Sequence, residues 1–219
     1  MKAMILAAGE GRRMLPLTAH TPKPLLKVHD KALIEWHLEG LARAGFAEIV
    51  INVHYQGDKI QHYLGDGSAF GLHITYSVEP VLLETAGGIH HALAQLGTDD
   101  EPFAVVNGDI YTDFDFSLLP KRLNGRAAIL VMVDNPLHHP SGDFSLTAAG
   151  QLGTGLQRLT YSGVGVYSPS LFRGLREGPV RLREVFAAAI EADLLGGQYY
   201  GGHWTDVGTP ARLAILNAS

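Results

Sequence analysis

An α/β fold in three layers, with helices on both faces of a mostly parallel central sheet, is predicted by two features of the sequence. Short apolar runs rich in β-branched residues recur along the chain, as in strands buried on both faces of a parallel sheet. Segments with apolar residues at helical spacing separate them, and this alternation calls for right-handed crossovers. With 46% hydrophobic residues in 219, there is ample material for a sizeable core, and the chain reads as a single domain over 1–219.

Lys2 to Ala8 is a nearly all-apolar strand that runs into a glycine loop. Residues 31 to 44 carry Leu33, Ile34, Trp36, Leu38 and Leu41 at roughly helical spacing, and Gly45 is the stop. Glu48 to Val53 is the next strand, Gly57 to Leu64 a short helix, His73 to Ser77 a third strand and Gly87 to Leu96 another helix. Phe103 to Asn107 and Ala127 to Val133 continue the strands. Near Asp134 the rhythm breaks. Pro136, Pro140 and four glycines mark the stretch of about 134–158 as a loop or a small antiparallel insertion. Leu159 to Tyr167 resumes as a strand, Arg181 to Leu194 as a helix, Gln198 to Trp204 as a strand and Thr209 to Asn217 as a closing helix. Trp36 and Phe186 are expected in the core.

Charge excludes several classes of function. Only 18% of residues are charged and the formal net charge is -5, so the surface is not built to coat nucleic acid or an anionic membrane. The absence of cysteine excludes a disulfide framework, a thiol nucleophile and a Cys-ligated metal. Ala3 to Ala8 is too short for a secretory signal, and no apolar run reaches spanning length. A soluble, cytoplasmic protein is expected, either a monomer or a small homo-oligomer.

The chemistry gathers at three places. Leu6-Ala7-Ala8-Gly9-Glu10-Gly11-Arg12-Arg13 puts small residues where a backbone can approach a ligand closely and aim its N–H groups at phosphate oxygens. A tight turn alone would use Gly-x-Gly too, but Arg13 and the Pro22-Lys23-Pro24 clamp bring positive charge to the same anion. Met14 stands where a dinucleotide fingerprint needs its third glycine, and no Walker A loop is present. Asp109 follows a strand end, where open α/β sheets bind ligands, and Asp206 follows another strand. Two carboxylates with substrate phosphates suit Mg²⁺. The alternatives are that Asp109 caps a turn through Gly108 and that Asp206 caps the last helix, although Thr209 before Pro210 already fills that second role.

The run from Leu6 to Leu25 resembles the signature of the sugar-phosphate nucleotidyltransferases, and the resemblance extends over almost the whole chain. Glu84-Thr85-Ala86-Gly87-Gly88 is similar to that family's Gly-rich turn, Val106-Asn107-Gly108-Asp109 to its metal-binding strand end, and Trp204-Thr205-Asp206-Val207-Gly208-Thr209-Pro210 to its second metal motif. The resemblance implies the Rossmann-like nucleotide-diphospho-sugar transferase fold with a sugar-side insertion. It implies nucleotide contacts from Leu6, Ala7, Ala8, Gly9, Gly11, Arg13, Lys23, Gly88 and Asn107, and Mg²⁺ on Asp109 and Asp206. Sugar contacts would come from Glu84, Thr85, Asp134, Gly142 and Asp143, and catalysis from Lys23, Arg13 and Asp109. The implied reaction joins a nucleoside triphosphate to a sugar 1-phosphate.

Val133 to His139 and Gly142-Asp143-Phe144 resemble the sugar-side loop of the uridylyl-transferring subgroup that acts on N-acetylmuramate α-1-phosphate in peptidoglycan recycling, which implies UTP as the donor. Val81-Leu82-Leu83 departs from the pattern, because uridylyl and thymidylyl relatives often carry a base-reading glutamine there. The alternatives are a mannose 1-phosphate guanylyltransferase, a glucose 1-phosphate thymidylyl- or uridylyltransferase, and a non-catalytic module that binds sugar nucleotides. Among the eleven histidines, His90 and His91 point about 100° apart on a helix; His138 and His139 in the insertion are expected to be solvated, the alternative being contact with the sugar.

Overall fold

The computed structural model describes residues 1–97 and 101–218. The strands among them are β1 (Ala3–Leu6), β2 (Lys27–Val28), β3 (Lys31–Ala32), β4 (Glu48–Val53), β5 (His73–Val78), β6 (Phe103–Asn107), β7 (Ile110–Thr112), β8 (Ala128–Val133), β9 (Ser145–Leu146), β10 (Leu152–Gly153), β11 (Thr160–Tyr167), β12 (Leu195–Tyr199) and β13 (Trp204–Asp206). The α-helices are α1 (Leu33–Arg43), α2 (Gly57–Leu64), α3 (Glu84–Leu96), α4 (Leu182–Glu191) and α5 (Pro210–Ala218).

Seven strands form the main sheet, in the order β12-β8-β11-β6-β1-β4-β5. All its pairings are parallel except those of β11, which runs antiparallel to both β6 and β8. The fold is therefore the expected mostly parallel α/β sheet. The period of two decides which face each residue serves. Ala3, Ile5, Ile49, Ile51, Ala104 and Val106 pack with Ile34, Leu38 and Leu41 of α1 and Ile60 of α2. Met4, Val50, Phe103 and Val105 point the other way, to Ala86, Ile89 and Ala92 of α3 and Val185 and Phe186 of α4.

Local chemistry sets the helix ends. Glu35 Oε2 accepts the Ala32 N–H at 2.8 Å to open α1, and Gly45 with φ +84° ends it. Five of the strands and two helices have the bounds expected of them to within a residue, but three readings need correction. The strand expected over Gln198 to Trp204 is two strands in different sheets, because the chain leaves the main sheet after Tyr199 and pairs again only at Trp204, with β7. The helix expected from Gly87 begins one turn earlier, at Glu84. Trp36 is half-buried, its indole N–H bonded to Val28 O at 3.1 Å, and the fully buried polar residue of α1 is His37.

Parallel register brings Leu6, Asn52 and Asn107 into line at the carboxyl ends of β1, β4 and β6. The insertion is the small antiparallel excursion expected, β9 with β10. A third apolar cluster, including Met14, Val28, Leu33, Val207 and Leu213, fastens α5 beneath the loop that follows β1. No described helix is long and apolar enough to cross a membrane.

Candidate functional site

A cleft of about 540 Å³ opens at the carboxyl ends of β1, β4 and β6. Leu6, Ala7, Ala8, Gly9, Gly11 and Arg13 line it along one loop. Gly11 takes φ +65°, and a Cβ there would lie 2.9 Å from Thr18 Cγ2, so both backbone and space require glycine. Thr18 Oγ1 donates to Gly11 O at 2.9 Å, and the Gln56 amide donates to Thr18 O at 3.0 Å, which ties the loop to the start of α2. Arg12 is bonded to Glu10, and this hydrogen bond raises its pKa. Arg13 is exposed and has no ion pair among the described residues.

Lys23 enters from the turn between Pro22 and Pro24, and its largely buried ammonium lies 2.6 Å from Asp109 Oδ2. Asn107 and Asp109 also line a second cavity, of about 330 Å³, whose other walls include Asp143, Trp204 and Asp206. The two cavities therefore meet at the end of β6. Asp206 reaches this junction because β13 pairs with β7 and Val207 N–H bonds to Asp109 O at 2.8 Å. Gly108 permits the tight passage from β6 to β7, since a Cβ there would fall 2.6 Å from Leu6 O.

The model of the nucleotidyl transferase family matches residues 2–153, with the glycine loop, Lys23 and Asp109 inside the match. The chain belongs to that family. It is 50% identical, over its full length and 97% of the relative's, to the N-acetylmuramate alpha-1-phosphate uridylyltransferase of Neisseria meningitidis serogroup B. It is 30% identical to the mannose-1-phosphate guanyltransferase of Hypocrea jecorina, matching over 96% of this chain but only 61% of that one. In structure it resembles a crystal structure described as a glucose-1-phosphate thymidylyltransferase from Bacillus anthracis in complex with a sucrose. The TM-score is 0.87 over 100% of this chain and 94% of that one; at 23% identity this likeness carries the fold.

In this nucleotidyl transferase, the residues singled out from the sequence are not all at the junction. Glu84 and Thr85 line the larger cleft, not the second cavity. Gly88 lies beneath the cleft wall, where a Cβ would meet Glu79 Oε1 at 2.5 Å and Asn52 Nδ2 at 2.9 Å. Asp143 lines the second cavity, with Oδ2 accepting the Tyr161 N–H at 2.8 Å. Asp134 is exposed outside both cavities and accepts the Tyr199 hydroxyl at 3.0 Å. Gly142 turns the insertion at φ +58°, also outside both.

No cluster of three or more metal-ligating side chains occurs among the described residues. Asp109 and Asp206 on one cavity, with no third side chain grouped with them to ligate an ion, are the donor set of a cation that completes its shell with substrate phosphates and water, as Mg²⁺ does. Asp109 is paired with the cation Lys23 and Asp206 with the cation Arg212, and His138 Nε2 lies 2.9 Å from Asp206 Oδ1. The residues fit a divalent metal at this place.

Sequence reasoning missed four residues. His138 is exposed as expected, but its ring also contacts Asp206, and Arg212 of α5 joins it. No spacing rule foretells such a contact between a loop and a distant helix. Asn52 and Glu79, both almost fully buried, support the cleft floor. Asn52 Oδ1 accepts the Ala7 N–H at 2.8 Å, its amide donates to Glu79 Oε1 at 2.7 Å, and Glu79 Oε2 accepts the Leu83 N–H at 3.0 Å. The signal was there: a lone Asn inside the apolar run of β4.

Proposed function

We propose that the protein transfers the uridylyl group of UTP to N-acetylmuramate α-1-phosphate, giving UDP-N-acetylmuramate and pyrophosphate, in cytoplasmic peptidoglycan recycling. The observation that carries the reaction type is the junction of two cavities at Asn107 and Asp109, one walled by a cationic glycine loop and the other by the polar insertion. The choice of substrates rests on the 50% identity to the Neisseria uridylyltransferase over the length of both chains. Residues 1–219 act in this reading as one catalytic domain, with 134–158 on the sugar side.

Both substrates are anions, so the task is to offset repulsion and to align the reacting atoms. Asp109 and Asp206 would hold Mg²⁺, which would supply positive charge to the phosphates. Backbone N–H groups of the glycine loop and Arg13 hold the β- and γ-phosphates, and Lys23 stabilises charge developing at the α-phosphate. An oxygen of the sugar phosphate forms a bond to the α-phosphorus while the bond from that phosphorus to the β-phosphate bridging oxygen breaks, and pyrophosphate leaves with the electron pair. A phosphate is already ionised at neutral pH, so neither a covalent nucleophile nor a general base is required.

The test incubates purified protein with each nucleoside triphosphate and a panel of sugar 1-phosphates, following pyrophosphate with and without EDTA. UTP with N-acetylmuramate α-1-phosphate should be the best pair, and EDTA should abolish turnover. Preference for GTP with mannose 1-phosphate would transfer the assignment to the activity named for the Hypocrea relative.

A further inference from the structure

Arg212 stands between the two cavities. Its guanidinium is bonded to Asp206 Oδ1, and Asp206 faces the second cavity. It also lies against Gly208, a wall of the larger cleft, where a Cβ would fall 2.6 Å from Arg212 Nη2 and 2.9 Å from Asp206 Oδ2. The side chain is steered there by Thr209, whose Oγ1 accepts from Arg212 Nε at 3.3 Å. Nη2 has no hydrogen-bond partner among the described residues.

The surrounding charge calls for a cation. Asp109, Asp143 and Asp206 line the second cavity, and no lysine or arginine does. A dianionic phosphate entering it meets carboxylates, and among the described lysines and arginines the one that bonds a lining carboxylate besides Lys23 is Arg212. The contacts of the cluster around Arg212 are also mutually incompatible. His138 Nε2 lies 2.7 Å from Arg212 Nη1 and 2.9 Å from Asp206 Oδ1. One imidazole nitrogen cannot accept from the guanidinium and donate to the carboxylate at once, so one contact is unfulfilled.

We propose that Arg212 is the cation that binds the phosphate of the sugar 1-phosphate, turning from Asp206 to the phosphate oxygens when the substrate enters. This rests on the transferase reading above and adds to it a residue from the C-terminal helix. A planar guanidinium with free N–H groups suits bidentate contact with a phosphate.

The test uses the full-length protein saturated with Mg²⁺ and α,β-methylene-UTP, titrated calorimetrically with N-acetylmuramate α-1-phosphate and, separately, with N-acetylmuramate lacking the phosphate. Arg212→Gln should weaken the phosphorylated sugar by about tenfold or more, Arg212→Lys should recover part of the loss, and the affinity for the UTP analogue should stay within about twofold. Mn²⁺ binding to Arg212→Gln, read by electron paramagnetic resonance without nucleotide, should be no weaker than in the unaltered protein. Unchanged affinity for the phosphorylated sugar, or an equal loss for the UTP analogue, would overturn the assignment. Failure of the unaltered protein to bind any sugar 1-phosphate would instead overturn the transferase reading, and this assignment with it.

Discussion

The ammonium of Lys23 and the carboxylate of Asp109, 86 residues apart in sequence, meet at 2.6 Å where the two cavities join. Replacing Lys23 by Met keeps most of the volume of a side chain only 10% exposed but removes its charge. The expected result is a fall in kcat of roughly 100-fold or more, the size of effect seen when a positioned charge donor to a developing oxyanion is lost. Steady-state pyrophosphate release measures it, and a thermal melt shows whether the fold has survived. Turnover at the unaltered rate would remove Lys23 from the chemistry.

Asn52 is the hub beneath the glycine loop, bonded to Ala7 on one side and Glu79 on the other. Asn52→Leu leaves a buried N–H and a buried carboxylate without that partner, at a cost of about 3 kcal/mol. Urea unfolding should register that loss. The KM for the nucleotide should rise as the loop loses its anchor, while the KM for the sugar 1-phosphate changes less.

Gly108→Ala tests the passage between β6 and β7. The added methyl meets a backbone carbonyl, Leu6 O, which cannot swing aside as a side chain can. Asp109 must therefore shift. A stability loss of roughly 1–3 kcal/mol is expected, together with a disproportionate fall in kcat. Equal activity per folded molecule would show that the position of Asp109 tolerates the displacement.

His37 makes stability depend on pH. Burial lowers its pKa from 6.5 to about 4, against weaker opposing effects from the Ile110 backbone and the Asp109 charge. The unfolded chain takes up a proton near pH 6.5, whereas the folded one does so only near 4. Stability from this group is complete above the higher value and declines as pH falls between the two, by a total on the order of 3 kcal/mol. Urea titrations of His37→Leu and unaltered protein at about pH 7, 5.5 and 4.5 should show a shallower decline in the variant. Parallel curves would mean that His37 is not the group responsible.

Periodicity located β4, α2 and β6 because each is a single apolar pattern with clear stops. It failed over 198–204, where Tyr199 and Tyr200 hid a break between two strands that Gly201-Gly202 announced. Asp109 and Asp206 could be picked out because each follows a strand in a sequence motif. The contacts of His138 and Arg212 could not, since they depend on how the insertion folds over the last helix. Asn52 lay between these cases: its polarity inside β4 was visible, but its partner Glu79 comes from the neighbouring strand's end.

The common wall at Asn107 and Asp109 also divides the linings of the two cavities along the chain. The larger cleft takes its remaining walls mainly from positions 6–24 and 79–85, and the smaller cavity takes its own mainly from 136–162 and 204–206. Exchanging residues within 136–162 would change the smaller chamber and leave the larger cleft's own lining residues untouched. Under the proposed reading, a shared scaffold of this kind would let acceptor preference diverge while the donor-side machinery stays in place.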